Sequence, residues 1–88
     1  MNIKFAPTAK KQYLAWREKD KEISRKINSA IRLVIQKPFS QSVPLNGDLA
    51  GYWSRKIDKE HRFVYKIEDD TLYIIQCEYH YSELSLNL

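Results

Sequence analysis

The sequence predicts an α+β domain in which two helices cover one face of a small, twisted, mostly antiparallel sheet, in the order β-α-α-β-β-β. Three features lead there. Consecutive segments in the first half carry apolar residues at helical spacing. Three short runs rich in Tyr, Ile, Val, Phe and Thr fill the last third. Both glycines and two of the three prolines fall between these halves, in residues 37–51.

Asn2 to Phe5 is a short strand candidate. Pro7 and Thr8 open the first helix, because proline at a first helical position costs no hydrogen bond. Ala9, Tyr13 and Trp16 recur on its inner side. Asp20 is placed to cap a second helix, whose apolar face is Ile23, Ile27, Ala30, Ile31 and Val34. Lys21, Arg25, Lys26 and Arg32 fall on its solvated side, and Pro38 ends it. Residues 37–51 read as a loop. Strands are expected near 52–57, 61–68 and 71–79, with a tight turn at Asp69-Asp70 and a second one supposed at Asp58-Lys59.

The 88 residues allow one core. The formal charge of +4 and the pI near 9.2 favour polyanionic partners, although many inert proteins share such a balance. One cysteine, Cys77, cannot form an internal disulfide and sits in an apolar pattern, which suits a buried residue in a reducing compartment. No segment resembles a signal peptide or approaches the roughly 20 apolar residues that cross a bilayer. A cytoplasmic protein without membrane contact is expected. Histidines and acids lack metal-ligand spacing and there is no glycine-rich phosphate loop, so neither metal nor nucleotide cofactor is expected.

Chemistry concentrates between Gly51 and Tyr81, where Arg55, Lys56, His61, Arg62 and His80 are threaded among tyrosines. Imidazole and phenol beside guanidinium suit the gripping of a phosphodiester and the movement of protons across it. With a turn at Asp58-Lys59, Arg55 falls opposite Arg62. Two guanidiniums so placed call for an anion between them, or for separate pairing with Asp48, Glu60 or Glu78. Strict alternation puts Tyr81 on the face of Arg62 and His80 on the other, so a bulge or break near Glu78 to His80 is needed to bring His80 to Arg62. His61 alternates with Phe63 and Tyr65 and reads as a cap on the core. Tyr52, Trp53 and Tyr65 could stack on bases, but strand aromatics are usually core.

The run from Pro44-Leu45 through Gly51-Tyr52-Trp53-Ser54-Arg55-Lys56-Ile57, then Glu60-His61-Arg62-Phe63-Val64-Tyr65, then Tyr79-His80-Tyr81, resembles the YoeB/Txe toxins of bacterial toxin–antitoxin modules. These belong to the RelE-like ribosome-dependent mRNA interferases. Tyr13-Leu14, Trp16, Asp20-Lys21, Lys26-Ile27-Asn28 and Pro38-Phe39 extend the resemblance into the first half. It implies a single RelE-like domain over residues 1–81, with residues 82–88 as a C-terminal extension.

The resemblance implies a metal-independent endoribonuclease that cuts mRNA in the ribosomal A site through attack by the 2′-hydroxyl. Arg62 would hold the phosphate, His80 would protonate the leaving oxygen, and Tyr81 would position phosphate or base. Arg55 and Lys56 would bind RNA, Lys56 standing where the family has arginine. The implied partners are a cognate antitoxin, the ribosome and mRNA, with operator DNA reached only through the antitoxin; self-association into a homodimer is left open. One departure bears on activity. The family has a glutamate, its general base, just before the Pro-Leu of the loop, and Val43 stands there. Valine accepts no proton, and a lost base typically removes about 10² to 10⁴ in rate. The alternative reading is therefore a weakened module that binds antitoxin and ribosome.

Overall fold

The computed structural model describes residues 1–79. β1 (Asn2–Phe5) leads into α1 (Pro7–Lys19) and α2 (Lys21–Gln36); β2 (Ser42–Pro44), β3 (Trp53–Lys56), β4 (Arg62–Glu68) and β5 (Thr71–Gln76) follow. The five strands form one sheet in the order β1-β5-β4-β3-β2. Only the β1–β5 pair is parallel; the rest are antiparallel. The α+β class and the expected helices hold.

Local chemistry sets the boundaries. Pro7 occupies the start of α1, where its missing N–H is no loss. The two helices are joined at Asp20. Its carboxylate accepts from the N–H groups of Glu22 (3.0 Å) and Ile23 (3.2 Å), a cap worth about 1 kcal/mol. All five residues of the expected α2 stripe are buried, with Ile27 and Val34 fully so. They pack with Ala9 and Trp16 of α1 on Phe63, Tyr65, Leu72 and Ile74 of the sheet. A smaller cluster of Leu45, Val64 and Ile75 lies apart from this core.

The β4–β5 turn is as expected: Glu68 pairs with Thr71, and Asp69 and Asp70 both take positive φ (52° and 55°). That mirror-image turn matches strand twist, and aspartate tolerates the left-handed region better than most residues.

Two expectations need correction. Residues 37–51 are not all loop, because Ser42–Pro44 pair with Arg55, Ser54 and Trp53 as an edge strand. The Tyr65 hydroxyl draws this strand in, donating to the Pro38 carbonyl (2.6 Å) and meeting Ser42 Oγ at 2.7 Å. The β3–β4 turn is not a two-residue turn at Asp58-Lys59 either. Ile57 N–H donates to His61 O (3.0 Å), and the Asp58 carboxylate accepts from the N–H groups of Glu60 (2.9 Å) and His61 (2.7 Å). The longer turn slips the register by one residue. Arg55 pairs with Phe63, and Lys56 pairs with Arg62. A one-residue slip exchanges faces, so Arg55 lies on the helix-covered side and Arg62 on the other.

Candidate functional site

Directly paired residues point to the same side of a sheet. The face away from the helices therefore carries Val43 and Ser54 in one row with Val64, and Lys56 beside Arg62. Val43 is 62% exposed. Val64 pairs with Gln76 while Tyr65 pairs with Ile74, which leaves Ile75 as an extra residue on β5. This bulge lies earlier in the chain than the break expected near Glu78 to His80, and it shifts the alternation of everything after it.

Arg62 is half-buried and oriented by its own turn. Its Nη1 donates to the carbonyls of Asp58 (2.8 Å) and His61 (3.1 Å), which leaves the rest of the planar fork to meet an anion. Among the described residues none of Arg55, Lys56 and Arg62 enters an ion pair, so the expected alternative, Arg55 and Arg62 each pairing with Asp48, Glu60 or Glu78, is not found there. Two adjacent cations with no carboxylate partner among the described residues form a candidate anion seat. It is built from Lys56 and Arg62, not from the Arg55–Arg62 pair that the sequence suggested.

Arg55 instead donates from Nη1 to the Ser40 carbonyl at 2.7 Å. It borders a groove of about 420 Å³ between α2 and β3, with Arg25, Lys26 and Lys56 also on its walls. Lys56 thus stands at the junction of the groove and the seat.

His61 is buried, as expected of a cap on the core. Its ring meets Trp16 edge-on at 4.8 Å, and Nδ1 accepts from the N–H of Tyr79 at 2.8 Å. The N–H of Arg62 donates to the Tyr79 carbonyl at 3.0 Å. Tyr79 has φ of 61°, in the left-handed region. The last described residue is therefore pinned against the β4 start by both of its backbone polar groups. His80, Tyr81 and residues 82–88, on which the expected acid, positioning tyrosine and extension fall, lie outside the described residues.

Sequence reasoning placed Asp58 in the turn but missed that its carboxylate organises it. Burial pushes its carboxyl up, but hydrogen bonds from the N–H groups of His61 and Glu60, together with the nearby Lys26 charge, hold it below the ordinary aspartate value. Its signal was present in the chain: an aspartate two and three residues ahead of the N–H groups that it accepts from. Cys77 is fully buried, and burial together with Glu78 pushes its thiol up to about 12. It is a packed side chain and not a nucleophile at neutral pH. Tyr65 is likewise fully buried, while Trp53 packs on Phe39 with ring centroids 4.5 Å apart. Among the described residues, no cluster of His, Cys, Asp and Glu could hold a metal ion, and no helix is long and apolar enough to cross a membrane.

The same architecture recurs in a chain of the DinJ-YafQ complex from E. coli, at a TM-score of 0.76 and 17% identity, over 96% of this chain and 98% of that one. That likeness concerns the fold alone. The YoeB/ParE toxin from Agrobacterium tumefaciens superimposes at a TM-score of 0.89 with 40% identity, over 92% of this chain and all of that one (100%). A chain of the YoeB-YefM complex from Staphylococcus aureus gives 0.85 with 33% identity, covering 92% and 98%. Toxin YoeB of Streptomyces coelicolor is 44% identical over 84 residues, 92% of this chain and 100% of its own. Toxin YoeB of Escherichia coli is 47% identical over 72 residues, 78% and 86%. The model of the YoeB-like toxin of bacterial type II toxin-antitoxin systems matches residues 5–81.

Fold and relatives together define a class: RelE-like toxins of bacterial type II toxin–antitoxin systems. Within that class, the chain belongs to the YoeB-like family.

Proposed function

We propose that this toxin is a metal-independent, ribosome-dependent endoribonuclease that cuts mRNA in the A site. The observation that carries this reading is the Lys56–Arg62 pair, two cations on the open face with no carboxylate partner among the described residues. The scissile phosphate sits in that seat. The 2′-hydroxyl gives up its proton to solvent water as its oxygen attacks the phosphorus, the bond to the 5′-oxygen breaks, and a 2′,3′-cyclic phosphate and a 5′-hydroxyl result. Arg62 stabilises the charge that builds on the phosphoryl oxygens. His80 gives its proton to the departing 5′-oxygen, and Tyr81 positions phosphate or base. Residue 80 follows directly on Tyr79, whose carbonyl is bonded to the Arg62 N–H, and this supports convergence of the two groups. Arg55 and Lys56 bind the RNA backbone, with Arg55 acting from the α2–β3 groove.

The toxin is held inactive by a cognate antitoxin, and operator DNA is reached through that partner. Similar chains from Staphylococcus aureus have been solved as a YoeB-YefM complex and as a YoeB dimer, which supports both an antitoxin and self-association here. The test is cleavage of mRNA on programmed ribosomes by purified toxin, read by primer extension. Cuts that vanish with Arg62→Ala and with His80→Gln are expected; unchanged cuts in both variants contradict the reading.

Val43 favours a second reading. An exposed valine on the site face, where a proton acceptor is expected, suits a module that binds ribosome and antitoxin but cuts slowly. Ribosome binding without cuts would select it.

A further inference from the structure

We propose that His61 is a positioning residue, the central member of a side-chain clasp that sets the direction in which the chain leaves Tyr79 towards His80 and Tyr81. The inference rests on the reading above, in which those two residues act on the RNA.

After β5 the backbone no longer pairs strand to strand. Its polar groups are taken over, one after another, by side chains and by the β4 start. Gln12 Oε1 accepts from Cys77 N–H (2.9 Å), and Trp16 Nε1 donates to Cys77 O (3.0 Å). Lys19 Nζ pairs with the Glu78 carboxylate at 3.0 Å. Gln76 Nε2 donates to the carbonyls of Glu78 and, at 2.8 Å, of Tyr79. His61 Nδ1 then accepts from Tyr79 N–H, and the adjacent Arg62 N–H binds Tyr79 O. Gln12, Trp16 and Lys19 recur along one side of α1 at helical spacing.

Tyr79 is where direction is decided. A left-handed φ is unfavourable for a non-glycine residue, so it persists only where surrounding bonds impose it. The imposing bonds come from Gln76 and from two consecutive residues, His61 and Arg62. The residue that orients the chain end is therefore the immediate neighbour of the one that holds the phosphate. His61 must present Nδ1 as an acceptor, which assigns its proton to Nε2, 4.0 Å from the Glu60 carboxylate. Edge contact with Trp16 fixes the ring plane.

The test compares His61→Phe, His61→Asn and His80→Gln with the wild-type toxin on programmed ribosomes, with amide exchange at Tyr79 followed by NMR in the same proteins. Phenylalanine keeps the buried ring and removes the acceptor; the asparagine Oδ1 can stand where Nδ1 stood. In His61→Phe, kcat is expected to fall about 10- to 100-fold with KM for ribosomes unchanged, because a misplaced acid acts on the chemical step. His61→Asn is expected to return to within about fivefold of wild type, and the Tyr79 amide to be protected in wild type and His61→Asn but not in His61→Phe. If His61→Phe does not fold, the wild-type and His61→Asn results decide. An unprotected wild-type Tyr79 amide overturns the proposal, as does a His61→Asn toxin as impaired as His80→Gln. A dead His80→Gln beside a fully active His61→Phe overturns the clasp and leaves the acid in place. An active His80→Gln removes the acid itself, and with it the proposed role of His61.

Discussion

Lys56 and Arg62 stand opposite each other across the β3–β4 ladder, on the sheet face that the helices leave open. Like charges so placed repel in the absence of an anion. Removing either changes the seat in a different way. Arg62→Ala takes away a planar fork, and cleavage is expected to fall on the order of 10²-fold or more. Lys56→Ala removes a point charge and should chiefly raise KM, with Lys56→Arg restoring it. Single-turnover cleavage across a ribosome titration separates the two effects.

Val43 shares the face of Ser54, Lys56 and Arg62 and is mostly solvent-exposed, so Val43→Glu should change stability by no more than about 0.5 kcal/mol. The new carboxylate supplies a proton acceptor on the side of the anion seat. Cleavage is expected to rise by about 10²-fold. An unchanged rate would mean that the 2′-hydroxyl loses its proton to another group.

Asp58 organises the turn that carries His61 and Arg62. Asp58→Ala strips the acceptor from two backbone N–H groups and is expected to lower stability by about 1 kcal/mol, read as a shift in urea midpoint. The pH dependence follows from the lowered carboxyl. A depressed folded value means that the stabilisation is fully present above the ordinary aspartate value near 3.9 and is lost as pH falls through the lower folded value. The gap between wild type and variant should be wide at pH 7 and should close in strong acid.

Cys77 should resist thiol reagents in the native toxin at pH 7 to 8 and react once urea unfolds it, because its thiol is raised to about 12. The raised value also has a stability consequence. The unfolded chain ionises near the ordinary thiol value of roughly 8.5 while the folded chain does not, so stability should fall as pH climbs from there. Cys77→Ser is the control, and labelling followed by mass spectrometry is the readout.

The helices were legible because burial imposes a 3.6-residue period, and Ile23, Ile27, Ala30, Ile31 and Val34 obey it residue by residue. The Asp69-Asp70 turn was legible without glycine, since strand-forming runs flank it closely on both sides. β2 was hidden: it is three residues long, exposed at Val43 and Pro44, and held by Tyr65 from a distant strand. The register of the cationic pair was missed for a local reason, the carboxylate of Asp58 closing a longer turn. His61 and Arg62 were both singled out as chemistry-bearing or core-capping. Their joint hold on Tyr79 comes after the Ile75 bulge in β5, which no periodicity announces.

In the proposed reaction Arg62 grips the scissile phosphate while His80 protonates the oxygen that leaves it. The direct measurement replaces that 5′-oxygen by sulfur, which departs without a proton, in mRNA bound to programmed ribosomes. With this linkage His80→Gln is expected to cut nearly as fast as wild type, while Arg62→Ala remains slow. A His80→Gln toxin equally impaired on the oxygen and sulfur linkages would contradict it.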